Sequence, residues 1–191
     1  MANQHHVGAV AGAAAGNGDP GMTPAPDRGL TVRAVPWDGA DAAGLRGEMS
    51  AELDPRYAAD EDRLGPVLAP PAAEIVLTLA AFDGARAVAC GSLRALPAPV
   101  DVDGVPAAVE VKKLFVARSH RRLGLASRVL DALTAAAAGR GARAVVLHTG
   151  VLQPEAIALY HARGWRPLPA YGDYAAIADV SACFGTVLPA R

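Results

Sequence analysis

The stretch that decides the fold of this chain is Val116-Ala117-Arg118-Ser119-His120-Arg121-Arg122-Leu123-Gly124-Leu125-Ala126. It joins a predicted strand that ends at Val116 to a predicted amphipathic helix that begins at Leu125. Small residues at the start of a helix leave backbone N–H groups uncovered, and these unpaired donors lie at the positive end of the helix dipole. Together with the guanidinium groups of Arg121 and Arg122, such a joint suits a pyrophosphate.

Helix and strand patterns alternate after this joint. Apolar residues at helical spacing come first, then an apolar run typical of a covered parallel strand, then a proline suited to a first helical turn. They predict a helix from Leu125 to about Gly139 or Gly141, a strand over 144–149, a helix from Pro154 to Arg163, and strands around Trp165 and over 182–188.

The segments before the joint indicate mainly antiparallel strands. Strand propensity and turn residues predict strands over 30–35, 74–82, 86–96 and 107–116, with a tight Asp83-Gly84 turn and a longer turn region over 97–106. Asp38 or Asp41 is expected to cap a helix that stops at Pro55. This order of elements predicts the α+β class, with a sheet of mixed direction rather than a doubly wound one.

The bulk properties exclude several classes of protein. A chain of 191 residues with a formal net charge of −1 suits one domain and offers no basic surface for nucleic acid. No segment approaches the roughly 20 apolar residues of a membrane-spanning helix, and Cys90 and Cys183 lack the spacing of a disulfide framework or a zinc site. We therefore expect a cytoplasmic protein that binds no metal and no membrane.

The first 28 residues differ in composition from the rest. Fifteen of them are Ala, Gly or Pro, and large aliphatic residues are almost absent. Such a segment buries too little surface to offset its ordering entropy, so we expect a disordered tail over 1–28 and one folded domain over 29–191.

A second motif lies in the predicted helix that begins at Pro154 and in the residues on either side of it. The two motifs together resemble those of the GNAT superfamily of N-acetyltransferases. The first resembles Gln/Arg-x-x-Gly-x-Gly/Ala, at Arg121, Gly124 and Ala126. The second resembles Asn-x-x-Ala-x-x-x-Tyr-x-x-x-Gly-Phe/Tyr, at Ala156, Tyr160, Gly164 and Trp165, with Gln153 where Asn is usual. The motifs cover about residues 107–166, and the flanking pattern is compatible over roughly 30–190.

The resemblance implies a fold, a reaction and a set of site residues. The fold is a mixed, mostly antiparallel central sheet flanked by helices, with a β-α-β-α-β-β C-terminal half. The reaction is transfer of acetyl from acetyl-CoA to a primary amine by direct attack in a ternary complex. In the family, a backbone N–H on the strand before the loop binds the acetyl carbonyl, and the matching tyrosine, here Tyr160, protonates the departing thiolate. The implied cofactor-binding residues are Leu114, Phe115, Val116, Arg121, Arg122, Leu123, Gly124, Leu125, Ala126 and Gln153.

Three routes are open for the proton that the amine must lose before attack. Glu110 lies on the strand before the loop, where acids serve as base in many members of the family, although a charge at a sheet edge or a partner for Lys112 or Lys113 is an alternative. His148 ends the next strand, and an ordinary histidine pKa of about 6.5 suits a base near neutrality. Water alone is the third route, and of the two side chains Glu110 is narrowly favoured.

The acceptor is a small-molecule or peptide amine. Five acids, Glu52, Asp54, Asp60, Glu61 and Asp62, lie in the segment that borders the acceptor in this family and weakly favour a cationic amine. A homodimer would be common for such a fold. The alternative function is a catalytically silent acyl-CoA sensor, and a third is a structural protein whose tail binds a partner.

Overall fold

The computed structural model describes residues 29–68 and 70–189, so the predicted disordered tail, residues 1–28, lies outside the described residues. Seven strands and four α-helices make up the regular structure of that part of the chain. The strands are β1 (Thr31–Ala34), β2 (Ile75–Asp83), β3 (Arg86–Val102), β4 (Val105–Val116), β5 (Ala144–Gly150), β6 (Arg166–Leu168) and β7 (Ser181–Val187). The helices are α1 (Ala40–Leu53), α2 (Glu61–Leu68), α3 (Leu125–Gly139) and α4 (Pro154–Ala162). Short 3₁₀ segments cover Asp54–Asp60, Ala72–Glu74, Arg118–His120 and Gly172–Val180.

All seven strands belong to one sheet with the order β1-β2-β3-β4-β5-β7-β6. Neighbouring strands are antiparallel except for β4 and β5, which α3 connects as a parallel pair. The predicted α+β class with a mixed, mostly antiparallel sheet is therefore confirmed. The predicted β-α-β-α-β-β order of the C-terminal half, from β4 to β7, is also confirmed, and in the sheet β7 lies between β5 and β6.

Helices cover both faces of the sheet. Alternate residues of a strand point to opposite faces, and β2 shows this directly. Leu79 and Ala81 pack in the cluster that contains α3, whereas Ala80 and Phe82 pack in the cluster that contains α1. The α3 side chains of that core, Leu125, Val129 and Leu133, are those that the helical spacing predicted to be apolar and buried.

The predicted turn region over 97–106 is wrong in its extent. β3 continues to Val102, and the turn is confined to Asp103 and Gly104, whose φ angles are 55° and 79°. Proline lacks the N–H that a sheet needs, so Pro97 and Pro99 argued against a strand. The sheet accommodates both in an irregularity between the pairs Ala95↔Val109 and Val100↔Ala107.

The predicted cap of the first helix is also wrong. Gly39 is the N-cap of α1, and no side chain accepts a hydrogen bond there, so neither Asp38 nor Asp41 caps the helix. Asp41 lies in the first turn instead, where a negative charge still interacts favourably with the helix dipole.

Candidate active site

The sheet opens between its two central strands. β4 and β5 pair only at Glu110↔Val146 and Val111↔Leu147, although β4 continues to Val116 and β5 to Gly150. The unpaired ends border a cavity of about 120 Å³, which we call the gap cavity. Val111–Leu114 from β4 and His148–Gly150 from β5 line it, together with Tyr160 from α4. A parallel pair that separates in this way lets a ligand reach backbone groups inside a sheet.

A β-bulge in β4 shapes one wall of this opening. Ser92 pairs with Lys112 and Cys90 pairs with Phe115, so two residues of β4, Lys113 and Leu114, stand opposite the single residue Gly91. Lys113 has a φ of 54°, a left-handed conformation that is rare for a residue with a side chain. Bulges redirect side chains and often lie next to active sites.

The loop that follows β4 ends in a left-handed glycine. Gly124 is the N-cap of α3 with a φ of 74°, and a Cβ at this position would meet no atom within 4 Å. The first N–H to bond back toward the helix start is that of Arg128, to the carbonyl of Gly124. The N–H groups of Leu125 and Ala126 have no acceptor within the helix. Open space, unpaired donors and the positive end of a 15-residue helix fit a diphosphate.

Almost all of the predicted cofactor-binding residues border one cavity of about 330 Å³, which we call the loop cavity. Leu123 is the exception, because it does not line the cavity. Residues from α1 and α4, which the sequence motifs did not single out for this role, complete the walls. The residues that the loop cavity and the gap cavity share are Met49, Leu53, Leu114, Gln153, Ala156 and Tyr160.

The two loop arginines have different surroundings. Arg121 donates to the carbonyl of Val116 at 3.1 Å and to the Glu52 carboxylate at 2.7 Å. Arg56 then links Glu52, at 3.2 Å, to Glu155 of α4, at 2.7 Å. The Arg121 hydrogen bond, aided by nearby arginine charges, lowers the pKa of Glu52. Arg121 therefore ties the loop to α1, whereas Arg122 is exposed and forms no ion pair with any described residue.

Tyr160 stands where the two cavities meet. Its side chain packs between Trp165 and Phe184, and only 5% of the residue is exposed. Burial raises the pKa of its hydroxyl far above the ordinary value, so the group keeps its proton at neutral pH. Within the described part of the chain, this hydroxyl has no hydrogen-bond partner. This arrangement leaves a protonated hydroxyl beside both cavities that is available as a donor.

Glu110 does not line either cavity. It is fully buried, and its carboxylate accepts hydrogen bonds from Tyr171 at 2.9 Å, Tyr174 at 2.8 Å and Arg94 at 3.4 Å. The alternative interpretation is therefore wrong, because Glu110 does not lie at a sheet edge and forms no direct ion pair with Lys112 or Lys113. Arg94 and the two tyrosines hold its carboxylate instead. Tyr171 lies just before the 3₁₀ segment that follows β6 and Tyr174 lies within it, and no local sequence signal predicted that either would contact Glu110.

His148 lines the gap cavity but is a poor proton acceptor. Its ring stacks on Tyr174 with centroids 4.0 Å apart, and its Nε2 shares a hydrogen bond of 3.0 Å with the Ser181 hydroxyl. Burial, assisted by the charges of Lys112 and Lys113, lowers the pKa of His148 to about 3. The ordinary value assumed for this residue from its sequence position does not apply in this environment.

Tyr57 is a site residue that the sequence analysis missed. It comes from the 3₁₀ segment after α1, and its hydroxyl accepts a hydrogen bond from the Leu152 N–H at 3.0 Å. The Gln153 side chain donates to the same oxygen at 3.5 Å. A methyl group at Gly150 would overlap this hydroxyl, so the glycine lets Tyr57 cross the end of β5. Nothing in the residues around Tyr57 indicates a partner almost a hundred positions away.

Two further features concern the described residues alone. No cluster of three or more His, Cys, Asp or Glu side chains could hold a metal ion there. None of the helices in that part of the chain has both the length and the apolar character needed to span a membrane.

Comparison with known proteins points to one family. The model of the acetyltransferase (GNAT) family matches residues 44–165, and no curated protein matches the chain. A solved protein assigned as an acyl-CoA N-acyltransferase, from Klebsiella pneumoniae, is 23% identical with a TM-score of 0.64, over 85% of this chain and 99% of its own. A GNAT family acetyltransferase from Elizabethkingia anophelis, with acetyl-CoA bound, is 14% identical with a TM-score of 0.57, over 85% and 99%. The IAA acetyltransferase from Bacillus cereus is 17% identical with a TM-score of 0.56, over 83% and 99%. At these identities the solved structures show a shared fold.

Proposed function

The chain belongs to the acetyltransferase (GNAT) family of acyl-CoA-dependent acyltransferases, and we propose that it transfers acetyl from acetyl-CoA to a primary amine by direct attack in a ternary complex. The observation that carries this proposal is the meeting of the loop cavity and the gap cavity at Tyr160. The loop cavity offers a diphosphate site, and the gap cavity opens toward α1 and α2. A molecule that extends from one cavity into the other would lie next to the protonated hydroxyl of Tyr160.

The loop and the start of α3 would hold the cofactor. When bound, acetyl-CoA supplies the activated acetyl thioester. The N–H groups at the start of α3 and the exposed Arg122 guanidinium would bind its diphosphate. Following the family resemblance, a backbone N–H within Leu114–Val116 would donate to the acetyl oxygen, where negative charge develops during attack. The bulge at Lys113 supports this role because it interrupts regular pairing just before these residues.

Tyr160 would donate its proton to the departing sulfur. Its hydroxyl is protonated at neutral pH and unpaired within the described residues, so proton transfer breaks no existing hydrogen bond. A positioned general acid of this kind contributes roughly 100- to 10,000-fold to a rate.

Water in the gap cavity would take the proton from the amine. His148, with its pKa near 3, cannot hold a proton at neutral pH. The Glu110 carboxylate already accepts hydrogen bonds from three side chains. It does not reach the gap cavity itself, and is linked to it by hydrogen bonds through Tyr174 and Lys112. This arrangement favours water over both side chains. We therefore expect substitution of His148 to affect the rate less than substitution of Tyr160.

The test is release of thiol from acetyl-CoA in the presence of a panel of primary amines. We expect turnover by the wild type and a fall in kcat of about 100-fold or more for Tyr160→Phe, because the general acid is lost. The affinity for acetyl-CoA, measured by calorimetry, should stay within about twofold, since the ring that lines the cavity is retained. Tight binding of acetyl-CoA without turnover of any amine would contradict the proposal and favour the silent sensor.

A further inference from the structure

Two adjacent lysines of β4, Lys112 and Lys113, lie where the amine acceptor would bind. In a regular strand, consecutive side chains point to opposite faces, but the bulge interrupts this alternation at Lys113. Both Lys112 and Lys113 line the gap cavity. Lys113 also lines a neighbouring cavity of about 320 Å³ between α1 and α2, which we call the helix cavity.

Only one of the two lysine ammonium groups has a hydrogen-bond partner within the described residues. The Lys112 ammonium donates to the Tyr174 hydroxyl at 2.5 Å, and that hydroxyl donates to Glu110. The backbone carbonyl of Lys113 accepts a hydrogen bond from the Cys90 thiol at 3.6 Å, but its ammonium has neither a hydrogen bond nor an ion pair with any residue in the described ranges. Burial, together with the charge of Arg46, lowers the pKa of Lys113, and Asp54 partly opposes this shift. An anion bound beside Lys113 would offset the cost of burying its charge.

The walls around Lys113 are mostly apolar. Met49, Leu53, Leu64 and Leu68 line the helix cavity, and the acids Asp54 and Glu61 that border it are exposed. Two of the acids that favoured a cationic amine have arginine partners. Glu52 pairs with Arg121 and Arg56, and Asp60 pairs with Arg63 at 2.7 Å. The helix cavity therefore combines apolar walls, two exposed acids at its border and the ammonium of Lys113, which has no partner among the described residues.

From this arrangement we propose that the acceptor is an amino acid with an apolar side chain, whose carboxylate binds Lys113 and whose side chain lies between α1 and α2. The inference rests on the proposed acetyl transfer. Lys113 directly precedes Leu114, the first residue whose backbone would hold the acetyl group. Both residues line the gap cavity together with Tyr160, and only one carbon separates the amine from the carboxylate in an α-amino acid, so both groups of the acceptor would fit in that cavity.

The test compares each amino acid with the amine that lacks its carboxylate. Leucine is paired with 3-methylbutylamine, and phenylalanine with 2-phenylethylamine, at saturating acetyl-CoA and with the full chain. Because a charge-assisted hydrogen bond would be lost, we expect kcat/KM to be roughly 10- to 150-fold higher for the amino acid of each pair. Lys113→Gln should remove most of this preference by raising KM for the amino acid relative to the plain amine, and Lys113→Arg should restore the preference in part.

Each outcome decides a separate point. Equal rates for the two members of a pair, or acetylation of the plain amines or of polyamines alone, would overturn the inference and leave the proposed acetyl transfer intact. The wild-type ratio of kcat/KM for the amino acid to that for the plain amine already tests the inference. The conclusion therefore does not depend on whether the Lys113 variants fold. If no amine is turned over, the transfer itself is refuted, and calorimetry of leucine against 3-methylbutylamine on the protein with bound coenzyme A still tests the carboxylate site. Absence of a leucine signal in that calorimetry would overturn the carboxylate site as well.

Discussion

His148 illustrates how its neighbours, more than its position in the sequence, determine the chemistry of a residue in this protein. It lies at the strand end where the sequence analysis expected a candidate base, and it does face the gap cavity. Yet it stacks on Tyr174 and lies near the charges of Lys112 and Lys113, which disfavour a second positive charge. The imidazole is therefore neutral in the folded protein over the whole range in which a free histidine titrates.

This neutral histidine predicts a pH dependence of stability. The pKa is about 3 in the folded protein and about 6.5 in the unfolded chain, so the unfolded state binds more protons between these values. The stabilisation is present above pH 6.5 and lost as the pH falls toward 3. In urea titrations at pH 7, 6, 5 and 4, the unfolding free energy of the wild type should fall as the pH is lowered. For His148→Gln we expect this fall to be smaller, by up to about 1.4 kcal/mol per pH unit. His161→Gln, at an exposed position, controls for removal of a histidine, and parallel curves for the wild type and His148→Gln would contradict the prediction.

At the scale of elements, the packing of α3 on the sheet depends on a glycine in the neighbouring strand. Gly91 of β3 stands opposite the bulge of β4 and is buried beneath α3. A Cβ at this position would lie 2.8 Å from the Leu133 side chain and 3.2 Å from that of Val129. Because α3 begins at the predicted diphosphate loop, its distance from the sheet also positions the loop.

A larger residue at Gly91 should therefore destabilise the protein. We expect Gly91→Val to lower the unfolding free energy by about 1 to 3 kcal/mol, because a well-packed interior resists added volume. The control is Gly47→Ala on the exposed face of α1, where a Cβ meets nothing within 4 Å. That change should raise stability by about 0.5 to 1 kcal/mol, since glycine in a helix interior costs backbone entropy. Urea denaturation measures both, and a Gly91→Val protein as stable as the wild type would refute the packing argument.

At the scale of the whole molecule, the loop cavity exists only because distant segments meet. Glu52 and Arg56, near the end of α1, reach Arg121 of the loop and Glu155 at the start of α4. These ion pairs remain partly exposed to solvent, so each contributes little to stability. Their consequence is geometric, because they hold three separate segments around one cavity.

Binding of acetyl-CoA should therefore stabilise the entire fold. At a ligand concentration of about 100 times Kd, binding adds about 2.7 kcal/mol, which raises the Tm of a protein of this size by roughly 5 to 10 °C. Gly124→Glu should abolish the shift, since it places a carboxylate and a strained backbone where the diphosphate would bind. Gly84→Glu is the matched control, because Gly84 also has a positive φ and open space but lies in the β2–β3 turn. Equal shifts for the two variants in differential scanning fluorimetry would contradict the assigned diphosphate site.

Most of the fold could be predicted from the sequence because its signals are local. The apolar spacing of α3, the continuous apolar run of β5 and the Asp-Gly turns need only neighbouring residues to act. The predicted turn over 97–106 failed because two prolines counted locally against a strand, whereas the sheet absorbs them in an irregularity. The proposed diphosphate loop has a local signal for the same reason that the turns have one: its donors and charges lie in consecutive residues.

The sequence by itself determined the family, the order of the elements and the loop that would bind a diphosphate. Only the tertiary structure decided which charges are paired and which are not. Glu110 is held by Tyr171 and Tyr174, some sixty residues away, and Tyr57 reaches Leu152 from almost a hundred residues away. Lys112 and Lys113 are adjacent in the chain at a bulge, yet the ammonium of Lys112 is hydrogen-bonded to Tyr174 and that of Lys113 has no partner among the described residues. Burial and pairing set the charge and reactivity of a side chain, and both depend on contacts that no short stretch of sequence contains.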